Sequence, residues 1–354
     1  MKLLPGMGRK QVLARLCHAA GVLPVLSRLR ALARQDVRIL AYHRVLESDN
    51  PGSFSFDRAL ISASAHAFRE QMQYVRRRLH PMRFDELLAC IDAGSRLPRN
   101  ATLVTFDDGY DDNYQLAFPI LRDLDMSAMF FVSTGHIDSG APYAYDWLVH
   151  MVCTTSAARL RAPELDIDWD IPVGALQRQL LAAKLLDRVK LLDHQGQARL
   201  IERLEQTWNI PRAAGHGDCR PMQWNHLREM RAAGMEVGAH GVDHRMLAKM
   251  PEADMVQEIR LSKAALDREL GEPVEVMSYP VGGSDAFDGA TIRAAREAGF
   301  RMACSYLSGT AQASEEERFS MRRLPVEREM DTSFFRAMVS LPEVFSYSSR
   351  SRIG

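Results

Sequence analysis

The sequence predicts an α/β protein, a parallel sheet or barrel that carries one mainly helical insertion. Three observations predict it. Short apolar, β-branched runs alternate with longer helical periods from residue 37 onward, the pattern of repeated strand-helix units. Two polar motifs follow directly on such runs, and the rhythm breaks once, between Thr134 and Met235. The chain has 354 residues, 46% hydrophobic and 25% charged, enough for a sizeable core. Lys+Arg and Asp+Glu both total 45, so the charge balance gives no footprint for nucleic acid, and none is expected as a partner.

Residues 1–36 read as a basic amphipathic segment, with seven Lys/Arg and no acid over residues 1–35. Val12, Leu13, Leu16 and Leu23 recur at helical spacing. Such a face could make peripheral contact with anionic lipid, or it could pack on the main domain and leave the basic side chains in water. Arg15, His18 and Pro24 interrupt the apolar run, so neither a cleaved signal nor a membrane-spanning helix is expected.

Strands are expected at 37–43, 101–106, 128–133, 235–240, 274–279 and 301–305, where the runs are short and β-branched. Helices are expected between them at 65–78, 84–93, 114–124, 224–233, 254–270 and 288–298. The insertion covers about 138–221 and contains a long helical stretch at 175–208. Its periodic leucines, Leu185, Leu200 and Leu204 among them, are expected to pack against the barrel rather than bind a cofactor. The main domain is set at 37–345 and a tail at 346–354, with the charged run 318–328 read mostly as a solvated face. Five scattered cysteines form no disulfide or thiolate-metal pattern. Together with the missing signal they suggest a cytoplasmic chain, with the basic segment against the inner face of a membrane.

Asp107 and Asp108 emerge where the apolar run Ala101–Phe106 ends, the place where α/β barrels build their sites. Adjacent carboxylates repel unless a cation separates their tasks. His240 and His244, four residues apart after another strand, can converge on one ion. Two imidazoles and one carboxylate with open positions suit catalytic zinc or a similar first-row metal such as cobalt or nickel.

TFDDGY at 105–110, GAHGVDH at 238–244 and SYPVG at 278–282 resemble the successive motifs of the polysaccharide deacetylase family, also called carbohydrate esterase family 4 or the NodB-homology domain. Ala41-Tyr-His-Arg-Val45, Phe118-Pro-Ile-Leu121 and Phe130-Phe-Val132 extend the likeness over about 37–137 and 222–327. The resemblance implies a distorted (β/α) barrel that hydrolyses N-acetyl groups of amino sugars in a surface or extracellular polysaccharide or its precursor. It implies a metal held by Asp108, His240 and His244, with Asp107 as general base. It also implies an oxyanion contact from the N–H near Val281, and a groove wall shaped by Tyr279, Pro280 and Gly282.

Two departures from the family pattern matter. Ser278 stands where many members have the arginine that holds the base, and no histidine follows His244 to act as the acid. His43, in a Tyr-His pair similar to that of poly-N-acetylglucosamine deacetylases, is the candidate acid. Arg322 or Arg323 is the candidate replacement for the arginine. Trp147 is the candidate sugar platform and packing its alternative, while His136 could line the groove. Two rival readings stay open: an amidohydrolase of this fold acting on a non-sugar or formamido substrate, and a glycan-binding relative without catalysis.

Overall fold

The structure is a computed structural model that describes residues 7–47 and 54–347. Seven parallel strands close a barrel: β1 (Arg38–Tyr42), β2 (Ala101–Phe106), β3 (Met129–Val132), β4 (Glu236–Ala239), β5 (Val276–Ser278), β6 (Met302–Ser308) and β7 (Met321–Pro325). Each pairs with the next in sequence, and β7 returns to β1 with Leu324 opposite Leu40, so the ring has no open edge. It is the distorted (β/α) barrel expected. Strands walled on both faces read as nearly continuous apolar runs, and all six residues of β2 are buried, its two threonines included. The β1–β2 register sets Tyr42 beside Phe106, which brings the next residues, His43 and Asp107, to the same rim.

The strand β7 lies inside the run expected to be solvated. Of its five residues only Arg322 is exposed, and Arg323 is enclosed. A buried strand is hidden in a charged run when one of its enclosed residues is itself an arginine.

Two helices precede the barrel, α1 (Met7–Ala19) and α2 (Leu23–Ala33). Within the insertion come α3 (Ala144–Thr154), an antiparallel hairpin of Arg159–Ala162 with Ile167–Asp170, then α4 (Ala175–Val189) and α5 (His194–Trp208). The helical stretch expected at 175–208 is therefore broken, and Asp193 caps the second helix by accepting from the Gly196 N–H. Leu185, Leu200 and Leu204 are buried in one core with Leu148, Val152 and Leu160 of the insertion and with Phe54, Phe56, Ile61 and Tyr110 outside it. That core joins the insertion to the main domain, and α3 and the hairpin supply part of it. After β7, α6 (Thr332–Ser340) packs against both α1 and α2. Residues 1–6 of the basic segment and 348–354 of the expected tail lie outside the described residues.

Candidate functional site

Asp108 sits just past β2 with a backbone φ of 76°, and Gly109 follows at 74°. Aspartate is among the few residues that tolerate this left-handed region. A side chain at Gly109 would place its Cβ 2.9 Å from Val132 Cγ1, so the tight turn needs glycine. The turn aims the Asp108 carboxylate at two histidines delivered by the rim of β4. Its Oδ1 lies 3.4 Å from His240 Nε2 and 3.2 Å from His244 Nε2.

His240 Nδ1 is 2.8 Å from the Ser278 carbonyl oxygen, which can only accept, so the proton is on Nδ1 and Nε2 presents a lone pair. The Asp108 Oδ1, His240 Nε2 and His244 Nε2 atoms are buried without a hydrogen-bond partner. Three such orphans converging within 4.8 Å of one another fit a cation. Ligands held at about 2.0–2.2 Å around a tetrahedral ion are about 3.3–3.6 Å apart, close to the spacing found. Burial alone would raise the Asp108 carboxyl, but the two imidazoles facing it hold it well below the usual carboxylate range.

Asp107 is fully buried and is met by both arms of Arg323. Nη1 donates to Oδ1 at 2.7 Å and Nη2 to Oδ2 at 2.8 Å. Arg323 is fixed in turn, since Nε donates to the Ser305 carbonyl at 2.7 Å and Nη2 to Ser278 Oγ at 2.9 Å. Ser278, at the position of the expected arginine, thus helps seat an arginine that arrives from β7. Burial pushes Asp107 upward, and the Arg323 charge outweighs it and keeps the carboxyl ionised. His43 Nε2 stands 3.8 Å from Asp107 Oδ2, and its backbone is anchored through Ser62 Oγ and the Asn113 amide.

The insertion closes one side of the site. Tyr143 donates to the Asp108 carbonyl at 2.6 Å, and its ring lies 5.0 Å from that of His244. His136 is stacked on Tyr143 at 3.9 Å, and burial pushes its pKa down to about 3. Both border a cleft of about 630 Å³ that runs from His244 between α5 and the loop after β4. Val281, Leu186 and Lys190 border a smaller cavity of about 60 Å³ that contains Asp108 and His244.

Four of the expected binding residues do not border this cavity. Trp147 is 4% exposed, donates from Nε1 to the Ile210 carbonyl and stacks on His150, so it packs the insertion and offers no face to a sugar. Tyr279 is also buried, with its hydroxyl on the Phe319 carbonyl and its ring on Phe287. Pro280 and Gly282 are buried beside it, and of this motif only Val281 borders the cavity. Leu186 and Lys190 escaped the sequence reading, because a helical period marks a buried face without saying what it faces.

The family model for polysaccharide deacetylases matches residues 94–303, more than half of the chain and all of the metal cluster. The chain belongs to the polysaccharide deacetylase family. The Bacillus subtilis protein YxkH, whose name places it with the polysaccharide deacetylases, is 21% identical over 67% of this chain and 55% of its own length. The poly-beta-1,6-N-acetyl-D-glucosamine N-deacetylase of Escherichia coli is 30% identical over 24% of this chain and 13% of its own length. The chain thus spans about half, or less, of these relatives. Among solved structures, the Streptococcus pyogenes deacetylase PplD superposes with a TM-score of 0.57 at 16% identity, covering 88% of this chain and 99% of PplD. IcaB from Ammonifex degensii gives 0.53 at 18% identity, covering 87% and 97%.

These likenesses correct the cytoplasmic placement, including the inner membrane face, because PplD and IcaB work at the cell surface or outside the cell. Within this family fold, Asp108, His240 and His244 form a cluster that could hold a divalent metal ion.

Proposed function

We propose that the deacetylase removes N-acetyl groups from amino sugars of a surface or extracellular glycan or its precursor, releasing acetate and leaving a free amine. One observation carries the reading: a carboxylate fixed at both oxygens by Arg323 stands beside an orphaned Asp-His-His cluster. A glycan-binding relative without catalysis has no use for such a base. The sugar class is supported by the named activity of the E. coli relative.

Asp108, His240 and His244 would hold a divalent cation, zinc being the natural choice for this donor set. When bound, it supplies Lewis acidity towards the amide carbonyl and the attacking water. Asp107 takes the proton of the attacking water, with Arg323 keeping it ionised and aimed. Val281, on the cavity wall, offers its N–H to the developing oxyanion. His43 gives the proton that lets nitrogen leave as an amine, and its ring within 3.8 Å of Asp107 supports that role.

Acetate release from N-acetylglucosamine oligomers tests the proposal. The expected result is release that a chelator abolishes and zinc restores, that falls by about 10²–10⁴ in Asp107→Asn, and that drops in His43→Ala with metal content unchanged. Stoichiometric metal binding with no acetate released would overturn it.

A further inference from the structure

The N-terminal helices carry a surface that the catalytic reading does not use. Their inner faces are firmly mounted. Ala14, Leu23 and Ala31 are buried, Arg30 pairs with Asp36 and Glu343 at 2.5 Å, and Lys10 donates to the Ser346 carbonyl at 2.6 Å. Leu23, grouped by its spacing with Val12, Leu13 and Leu16, is turned inward at 2% exposure. Helices so anchored would ordinarily show polar residues outward. Instead Val12, Leu13 and Leu16 on α1, with Val25, Leu29 and Leu32 on α2, are 45–64% exposed.

The α2 residues recur at steps of four and three, which makes one continuous stripe opposite its buried side. Both helices rest on α6, so their outer faces look away from a common support. Arg9, Arg28 and Arg34 are exposed on the same two helices and their junction with β1. No acid occurs before Asp36 in the chain.

We infer that α1 and α2 form a docking surface for an anionic lipid bilayer, lying in its headgroup region with the apolar stripes towards the acyl chains. Three features select this occupant. Neither helix carries an acid of its own, and the exposed Arg9, Arg28 and Arg34 complement anionic headgroups, while Asp331 and Glu343 are taken up by Arg15 and Arg30. The helices are about 20 and 16 Å long, too short to cross the roughly 30 Å hydrocarbon layer. They also meet at 103°, so neither prolongs the other into a span. The barrel is thereby held at a membrane surface, whatever its substrate proves to be.

Vesicle co-sedimentation of the full chain tests the inference, with phosphatidylcholine alone and with about 30% phosphatidylglycerol added. Binding is expected only to the anionic vesicles, and weaker at high salt. The triple change Leu16→Gln, Leu29→Gln and Leu32→Gln should abolish it while acetate release from soluble oligomers is unchanged, since these side chains touch neither core nor site. Arg28→Glu with Arg34→Glu should weaken it about tenfold or more. The inference fails if the wild type ignores anionic vesicles, binds neutral ones equally well, or keeps its affinity in the triple variant. It also fails if light scattering finds a dimer that the triple variant cannot form, which would assign the stripes to a second copy of the chain.

Discussion

A carboxylate as enclosed as Asp107 persists in charged form only with a partner that offsets its lost hydration, and the planar fork of Arg323 meets both oxygens at once. Arg323→Lys keeps the charge and loses the fork. It should lower kcat about tenfold to a hundredfold while KM and bound metal stay near wild type; steady-state kinetics with metal analysis checks this, and an unchanged kcat would remove Arg323 from the positioning of the base. The sequence exposed Asp107, Asp108, His240 and His244 because each pair is local, a few residues after an apolar strand. Arg323 was visible only as one of two adjacent arginines, since its pairing with Asp107 spans 216 residues and nothing local distinguishes it from Arg322. Trp147 misled for the opposite reason. An aromatic cluster with a nearby acid looks the same whether it lines a groove or fills the core of an insertion, and indole buries a large area in either case.

At the scale of elements, helix Ala65–Arg78 and strand Ala101–Phe106 coincide with their expected ranges, because Ser64 caps the helix and the strand is a short, wholly buried run of β-branched and apolar residues. The turn between α4 and α5 and the strand β7 were illegible, the one hidden within a continuous helical period and the other within a charge run. Gly238 shows what the barrel wall demands of β4, just ahead of the metal ligand His240. A Cβ there would stand 2.5 Å from Phe131 Cδ1 and 2.9 Å from the Val276 carbonyl, on the strands at either side. Backbone on one side and a packed ring on the other leave little room to yield. Gly238→Ala should therefore cost about 1–3 kcal/mol of stability and weaken metal binding, because β4 carries His240. Thermal unfolding and metal titration read the two effects, and an unchanged Tm would show that the wall is softer than its packing indicates.

Across the whole molecule, the barrel and the insertion are joined through a buried polar seam. Asp146 of α3 accepts from the Tyr110 hydroxyl at 2.6 Å and the Cys219 thiol at 3.3 Å, and Tyr143 of the same segment reaches the backbone of Asp108. Burial pushes the Asp146 carboxyl up to about 6, against partial relief from the Tyr110 hydrogen bond and the Arg44 charge. A carboxyl raised in the folded state binds its proton more tightly there than in the unfolded chain. Its contribution to stability is therefore complete below about pH 4 and is lost as pH rises through about 6. A shift of this size amounts to at most about 3 kcal/mol. Asp146→Asn keeps an oxygen acceptor for both donors and cannot ionise, so it should match the wild type near pH 4 and be the more stable protein above about pH 6.5. The comparison belongs in chelated protein, because a cation at Asp108 would offset one of the charges that disfavour ionisation of Asp146. Denaturant unfolding at the two pH values decides the matter: a stability difference that does not change with pH would mean that Asp146 stays ionised and that the seam is held by a charge rather than by a neutral acid.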